Sequence, residues 1–365
     1  MFKGVAMKAF FFSVLFVFGL YAEPLSPMPT ASDLSSFEKA SIPFDIPTLK
    51  TLWKARIKAI HSSGVIPLID VESSFNPSKF DLIDYAHIMD EKGVALIAFS
   101  PQIGDNAFAK DAKLWHDAPR SLISADAARY VPTSTAGTYP AWTSEPIAFV
   151  NETIKHVTQQ HYPLLGEFEF RHYLSTRQVK RNESYRDVSI PIDSEAGNVL
   201  FDFAEKTGIS FQIHYEVEDA LLDPLEKMLN AYPHANVIWC HFAQIRYSGN
   251  AKRFTPSFVR GLLERHPNLY FDLAFGDKDS VYKPSNEYQA TIWDRSSGKL
   301  KREWAQLIED YPYHFLTAFD IGGDRHDELP KKIQNSREVL KSLTPKTQEI
   351  VAYKAFWKLV FNEDI

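Results

Sequence analysis

Short apolar runs rich in Val, Ile, Leu and Phe alternate along this chain with amphipathic stretches of helical period, which is the pattern of successive βα units in a parallel sheet. The runs cover 65–72, 94–100, 129–133, 164–171, 209–215, 237–242, 269–275 and 314–320. Helical patterns fill 79–92, 144–161, 194–207, 218–232 and 255–266, and Gly93, Pro163, Gly208, Pro233 and Pro267 stand just before the next run. Eight runs predict a (β/α)8 TIM barrel. The third is the weakest strand, because Pro132 interrupts it. A helical segment precedes the first run, and 346–361 reads as a closing helix. The long connections 174–191 and 276–298 follow the fourth and seventh runs, where barrel enzymes carry active-site loops.

The first 22 residues differ from the rest. Lys3 and Lys8 are followed by an apolar stretch from Ala9 to Ala22, and a polar, proline-bearing segment comes next. That stretch falls short of the ~20 residues needed to span a bilayer, so it reads as a cleaved export signal. The expected division is a signal peptide over 1–22, a helical extension over 23–62 and one barrel over 63–365. The expected destination is the periplasm or the exterior, with no stable membrane insertion after cleavage.

Composition narrows the partners. With 40 Lys and Arg against 46 Asp and Glu, the net charge is −6, and no basic block is present to bind nucleic acid. A small-molecule substrate is expected instead. The single cysteine, Cys240, excludes an intrachain disulfide and a Cys-based zinc site.

Alternate residues of a barrel strand face the lumen, and the others pack beneath helices. In Gly166-Glu-Phe-Glu-Phe-Arg171 the two phenylalanines suit the helix side, which sends Glu167, Glu169 and Arg171 inward. The same parity turns Gln212 and His214 inward, and Asp70 with Glu72, Asp272 and Asp320 fall at strand ends. On the sixth run it places Trp239 and His241 inside, with Ile238, Cys240 and Phe242 outside. These polar residues gather at the C-terminal mouth, where this fold builds its sites. Asp70 also suits the simpler role of closing a turn.

Five segments together resemble the amidohydrolase superfamily, in its amidohydrolase-related (amidohydrolase 2-like) branch that includes lactone hydrolases and nonoxidative decarboxylases. They are Phe211-Gln-Ile-His214, Tyr232-Pro with Val237-Ile-Trp-Cys-His241, Asn268-Leu-Tyr-Phe-Asp272, Phe315-Leu-Thr-Ala-Phe-Asp320, and Ile350-Val-Ala-Tyr-Lys-Ala-Phe-Trp357. The resemblance covers about residues 64–361. It implies that His214 is a metal ligand, His241 a ligand or an electrophile at the substrate oxygen, and Asp320 a ligand and general base. The family opens with a His-x-His pair, whereas Ile69-Asp-Val-Glu-Ser-Ser74 puts Glu72 and Ser74 at those places. Glu72 is then a candidate ligand, and Glu167, whose Gly-Glu start resembles the DNase-like TatD members, is another. A mixed nitrogen and oxygen set suits a divalent metal, zinc or manganese, with zinc the expected ion.

The activity so implied is metal-dependent hydrolysis of an ester, lactone, amide or phosphoester. Asp320 would move the proton, His241 would stabilise the oxyanion, and Arg171 would grip a substrate carboxylate or phosphate, with Glu169, Gln212 and Asp272 completing the substrate contacts. Two other readings stay open. One is a metal-free hydrolase working through paired carboxylates. The other is a degenerate barrel, without the His-x-His pair, that binds a small ligand and catalyses nothing.

Overall fold

Eight parallel strands form the core of the computed structural model, which describes residues 25–29, 43–75, 80–101, 112–322 and 325–365. They are β1 (Leu68–Phe75), β2 (Val94–Pro101), β3 (Tyr130–Pro132), β4 (Leu164–His172), β5 (Ser210–Tyr215), β6 (Val237–Trp239), β7 (Leu269–Asp272) and β8 (Phe315–Leu316). β1, β2 and β3 pair in order, and so do β4 to β8. Parallel bridges from Thr133 to Leu164 and from Gly137 to Phe168 connect the first group to the second. On the far side, Val71 N donates to Thr317 O (3.1 Å), Ser74 N to Ile321 O (2.7 Å) and Asp320 N to Glu72 O (2.9 Å), which closes the ring. The Thr317 hydroxyl donates to Ile69 O across the same seam at 2.5 Å.

Helices cover the outside because each presents one apolar stripe. Ile46–Ser62 starts on an Asp45 cap and buries Leu49, Trp53, Ile57 and Ile60, together with Arg56. Leu82–Lys92 is capped by Asp81 and ends at Gly93, whose φ of 70° lies in the left-handed region. A Cβ there would stand 2.6 Å from Val65 Cγ1 and 3.1 Å from Arg337 Nη2. Gly93→Ala is therefore expected to cost about 1–3 kcal/mol, read as a lower urea midpoint at unchanged slope.

Beneath β4, Trp142 is fully buried against Phe168 and Phe170, with ring centroids at 5.4 and 5.2 Å, and its indole N–H donates to Glu169 O at 2.7 Å. This outer aromatic cluster confirms the parity of Phe168 and Phe170 and fixes Glu167 and Glu169 on the lumen side.

β6 corrects the expected parity. Ile238 pairs with Gln212 and Trp239 with Ile213, so Trp239 shares the outer face, beside Phe254 and Phe271. Cys240 points inward, with Sγ 3.9 Å from Gln212 Oε1. His241 then adopts a φ of 60°. That left-handed residue breaks the strand alternation just after β6, and His241 lines the mouth in spite of its position next to Cys240.

The connection after β4 carries the helix Thr176–Arg181, and the one after β7 carries two short hairpins, Val281–Tyr282 with Glu287–Tyr288 and Trp293–Asp294 with Lys299–Leu300. Residues 1–22, expected as a signal, lie outside the described residues. Among the described residues no helix is long and apolar enough to cross a membrane.

Candidate metal centre

The C-terminal ends of the strands and the loops above them enclose a cavity of about 850 Å³. Glu167, on β4, faces His214, on β5, and His241, just past β6. His214 Nδ1 lies 2.9 Å from Glu167 Oε1, His241 Nε2 lies 3.2 Å from the same oxygen, and the two nitrogens are 3.0 Å apart. Donors bound tetrahedrally to one zinc stand roughly 3.3 Å apart, so the triangle has the size of one face of a coordination shell.

The outer partners of the two rings decide which atoms point inward. His241 Nδ1 faces the carbonyl of Ala274 at 2.7 Å, an acceptor only, so that nitrogen carries the proton and Nε2 presents a lone pair. His214 Nε2 faces Glu216 Oε1 at 3.3 Å and donates to it, which turns the Nδ1 lone pair toward Glu167 and His241. With both rings neutral, two imidazole lone pairs and a carboxylate oxygen converge on one point, a place for a positive charge that protons on the rings or a metal ion can supply. Burial opposes ionisation of all three groups, yet their mutual attraction outweighs it. Glu167 is pulled down to about 2 and both imidazoles are raised. The donor set fits a divalent cation.

Support for these ligands comes from the next layer. Asp272, fully buried, accepts His241 N at 2.8 Å and Ala274 N at 3.0 Å through one oxygen, fixing both the ligand and the carbonyl that orients it. Glu216 accepts Tyr173 N at 3.0 Å and lies 3.3 Å from Arg246 Nε. Such partners set ligand orientation and basicity. Glu216→Gln is expected to weaken metal affinity about 10–100-fold, measured by competition with a chelator of known affinity.

The remaining expected site residues are placed as follows. Glu72 is 7% exposed, lines the cavity and has Oε2 without a hydrogen-bond partner. Asp320, at a φ of 49°, also lines it, but Arg325 clamps its carboxylate through Nη1 at 3.2 Å and Nη2 at 2.8 Å. Neither Glu72 nor Asp320 joins the group of donor atoms formed by Glu167, His214 and His241, all within 4.8 Å of one another. Burial raises the Asp320 carboxyl, but the charges of Arg325 and Lys332 outweigh it and hold the group well below the usual range. Gln212 lines the floor, and its amide donates to Leu165 O at 3.2 Å. Glu169 lines the wall and pairs with Arg186.

Arg171 does not line this cavity. A register shift between Glu169 and Arg171 breaks the alternation on β4, turning Arg171 to Asp187 at 2.5 Å and over the Tyr173 ring. His172 takes the inward place, its ring centroid 4.5 Å from that of His214. Asp70 is buried below the mouth, where it accepts Ser73 Oγ, Glu72 N and Phe319 N. Its role is the turn-closing one.

Sequence reasoning did not single out Glu216, Arg186, Arg246, Arg325 or Lys332. Glu216 had a usable signal, since it continues the parity of Gln212 and His214 by one step. The others stand in connecting loops or on a helix, where alternation carries no information.

Comparison with protein-family models and with curated protein sequences gave no match. Solved structures do match. The 2,6-dihydroxybenzoate decarboxylase from Rhizobium is 12% identical, with 81% of this chain and 99% of that one covered and a TM-score of 0.50. For the 4-oxalomesaconate hydratase from Rhodopseudomonas palustris the identity is 14%, the coverages 89% and 93%, and the TM-score 0.47. For the 5-carboxyvanillate decarboxylase from Novosphingobium aromaticivorans, complexed with manganese, they are 10%, 80% and 95%, and 0.46. At such identities the likeness is one of architecture. The chain has the eight-stranded (β/α)8 fold expected from its strand pattern, and it shares that fold with the dihydroxybenzoate decarboxylase.

Proposed function

We propose that this protein is a divalent-metal-dependent enzyme of the amidohydrolase superfamily that hydrolyses an ester, lactone, amide or phosphoester bond in a small molecule. The observation that carries the reading is the convergence of Glu167 Oε1, His214 Nδ1 and His241 Nε2 on one point at the cavity floor. A divalent ion held by these three residues, zinc or manganese by their chemistry, would supply Lewis-acid polarisation of a substrate oxygen and activation of water.

The chain's own groups divide the remaining work. The bond from His241 Nδ1 to Ala274 O turns Nε2 toward Glu167, where a bound ion would replace the proton that the neighbouring carboxylates otherwise hold on this ring. Glu72 and Asp320 are carboxylates outside the triad that border the cavity at the β1–β8 seam, and of the two Glu72, which burial holds above the usual carboxylate range, is placed to exchange a proton with a bound reactant. Glu72 presents an unpaired oxygen, while Asp320 is engaged by Arg325. The short helix Thr176–Arg181 and the hairpin at Val281–Tyr282 contribute residues to the cavity wall. Under the same proposal, residues 1–22 act as an export signal and the protein works outside the cytoplasm.

The test is elemental analysis of protein purified without chelators, joined to a turnover panel of esters, lactones, amides and phosphoesters. About one equivalent of divalent metal per chain is expected, with turnover lost on chelation and restored by zinc or manganese. Absence of a stoichiometric ion would sink the reading.

A further inference from the structure

The register shift on β4 makes His172, in place of Arg171, the last residue of that strand to line the cavity. The residue is 7% exposed, and its ring meets that of His214 edge to face, with centroids 4.5 Å apart. One of its nitrogens is engaged. Nδ1 lies 2.7 Å from Arg186 O, a carbonyl that can only accept, so Nδ1 carries the proton and Nε2 a lone pair. Nε2 has no hydrogen-bond partner among the described residues, and unlike Oε2 of Glu169 it is not a sealed atom. Burial above all, and then the positive charges of His214, Arg186 and Arg246, hold this imidazole well below its usual range, which keeps the lone pair free. His172 stands outside the donor group of Glu167, His214 and His241, so it is not one of the candidate ligands.

We propose that His172 is a specificity-determining residue of this centre, its Nε2 accepting a hydrogen bond from an N–H or O–H that the substrate carries beside the group held at Glu167, His214 and His241. This role rests on the proposed function and adds to it a demand on the substrate. Arg186 is the positioning residue. Its carbonyl sets the tautomer of His172, and its guanidinium pairs with Glu169, three residues earlier on the same strand. The ring is thus held at one nitrogen and packed on one side by His214, and the open acceptor points in a fixed direction. Both arginines whose charge reaches it have a carboxylate against them, Glu169 for Arg186 and Glu216 for Arg246. What this corner offers the cavity is therefore a neutral acceptor, which repels an anion and attracts a donor. A reactant without a donor would strip water from Nε2 and return no hydrogen bond. Sites that read a donor in this way discriminate more sharply than apolar ones.

The experiment compares equilibrium binding of imidazole and N-methylimidazole, by calorimetry or ligand-observed NMR, to wild type, His172→Phe and His172→Gln purified without chelators. Both probes carry a ring nitrogen that can meet an ion at the triad, but only imidazole keeps an N–H. Wild type is expected to prefer imidazole about five- to tenfold. Phenylalanine keeps a ring in place and has no acceptor, so His172→Phe is expected to lose the preference. Glutamine brings an amide oxygen to the region of Nε2, so His172→Gln is expected to regain part of it. The role is overturned if wild type shows no preference or binds neither probe. It is also overturned if His172→Phe keeps the wild-type preference, which would trace it to the bulk of the methyl group. Independently of any variant, nitrogen NMR of wild type should show His172 protonated at Nδ1, with the Nε2 resonance moved by imidazole and not by N-methylimidazole. A ring protonated at Nε2 instead would overturn the role. Metal content, read on each sample, is expected to be the same in all three proteins. Full metal content without a probe preference removes the role of His172 alone, whereas a wild type without metal removes the proposed function.

Discussion

The His214→Ala protein is expected to fold and to lose divalent-metal affinity by more than about a hundredfold. The lower bound follows from the surrounding layer, since an outer partner of a ligand is itself worth about 10–100-fold, and under the proposed function His214 is one of the ligands. Its removal leaves Glu167 and His241 as the only members of the triangle and takes away the ring through which Glu216 reaches the centre. Glu216 keeps its bonds to Tyr173 N and Arg246, so no buried carboxylate is stranded. Two measurements report the outcome. Elemental analysis should fall from about one equivalent to near background. Chelation should lower the melting temperature of wild type and leave that of the variant unchanged, because an ion bound only by the folded state stabilises it by mass action. A variant that kept its full equivalent would place the ion elsewhere.

The largest stability effect is expected far from the mouth, at Asp90. Arg56 and Arg129 are 1% and 0% exposed, and a single carboxylate serves both, with Oδ1 2.7 Å from Arg56 Nη2 and Oδ2 2.8 Å from Arg129 Nη2. Asp126 supplies the second negative charge, 2.9 Å from Arg129 Nη1. Removing Asp90 leaves two guanidinium groups sharing one carboxylate in a buried setting, and breaking such a network costs about 3–5 kcal/mol. The rest of the network has a structural purpose. Arg56 donates to the carbonyls of Val94 and Ala95 at the start of β2, and Arg129 donates to Pro27 O and Ser26 O. One carboxylate therefore ties the helix Ile46–Ser62, the strand β2 and the segment 25–29 together. Denaturant titration of Asp90→Ala should show the loss, and a change below about 1 kcal/mol would mean that water or rearrangement compensates.

Within the strands the sequence was readable, because helix-facing positions must be apolar and lumen-facing ones need not be. Phe168 and Phe170 against Glu167 and Glu169 show this on β4, and Ile213 against Gln212 and His214 shows it on β5. Alternation fails where the backbone leaves the pleat. The register shift after Glu169 exchanged the places of Arg171 and His172, and the φ of 60° at His241 let Cys240 and His241 both turn toward the interior. No hydrophobic pattern encodes a single left-handed residue outside glycine. The motifs at the strand ends picked out His214, His241 and Glu167, but the order of ligation did not follow from them. Glu72 and Asp320 border the cavity, while a pair of cations from the last loop and helix occupies the space around Asp320. Those cations belong to segments whose sequence shows only a solvated charge pattern, and the fold alone turns them inward.

The seam between β1 and β8 ties the mouth to the timetable of synthesis. Ile69 and Thr317 are separated by 248 residues, and Thr317 N also donates to Val351 O in the π-helical turn Ile350–Lys354. A ribosome delivers the chain from its N-terminus, so this joint is the last part of the ring to become available. Until then β1 and β8 are open edges with unpaired backbone groups, and Glu72 and Asp320 sit on opposite lips of an unclosed sheet. The two acidic residues become neighbours only when the whole cylinder is complete. A chain caught before that moment carries Glu167, His214 and His241 but has no enclosed chamber around them, so the candidate site is complete only at the end of folding.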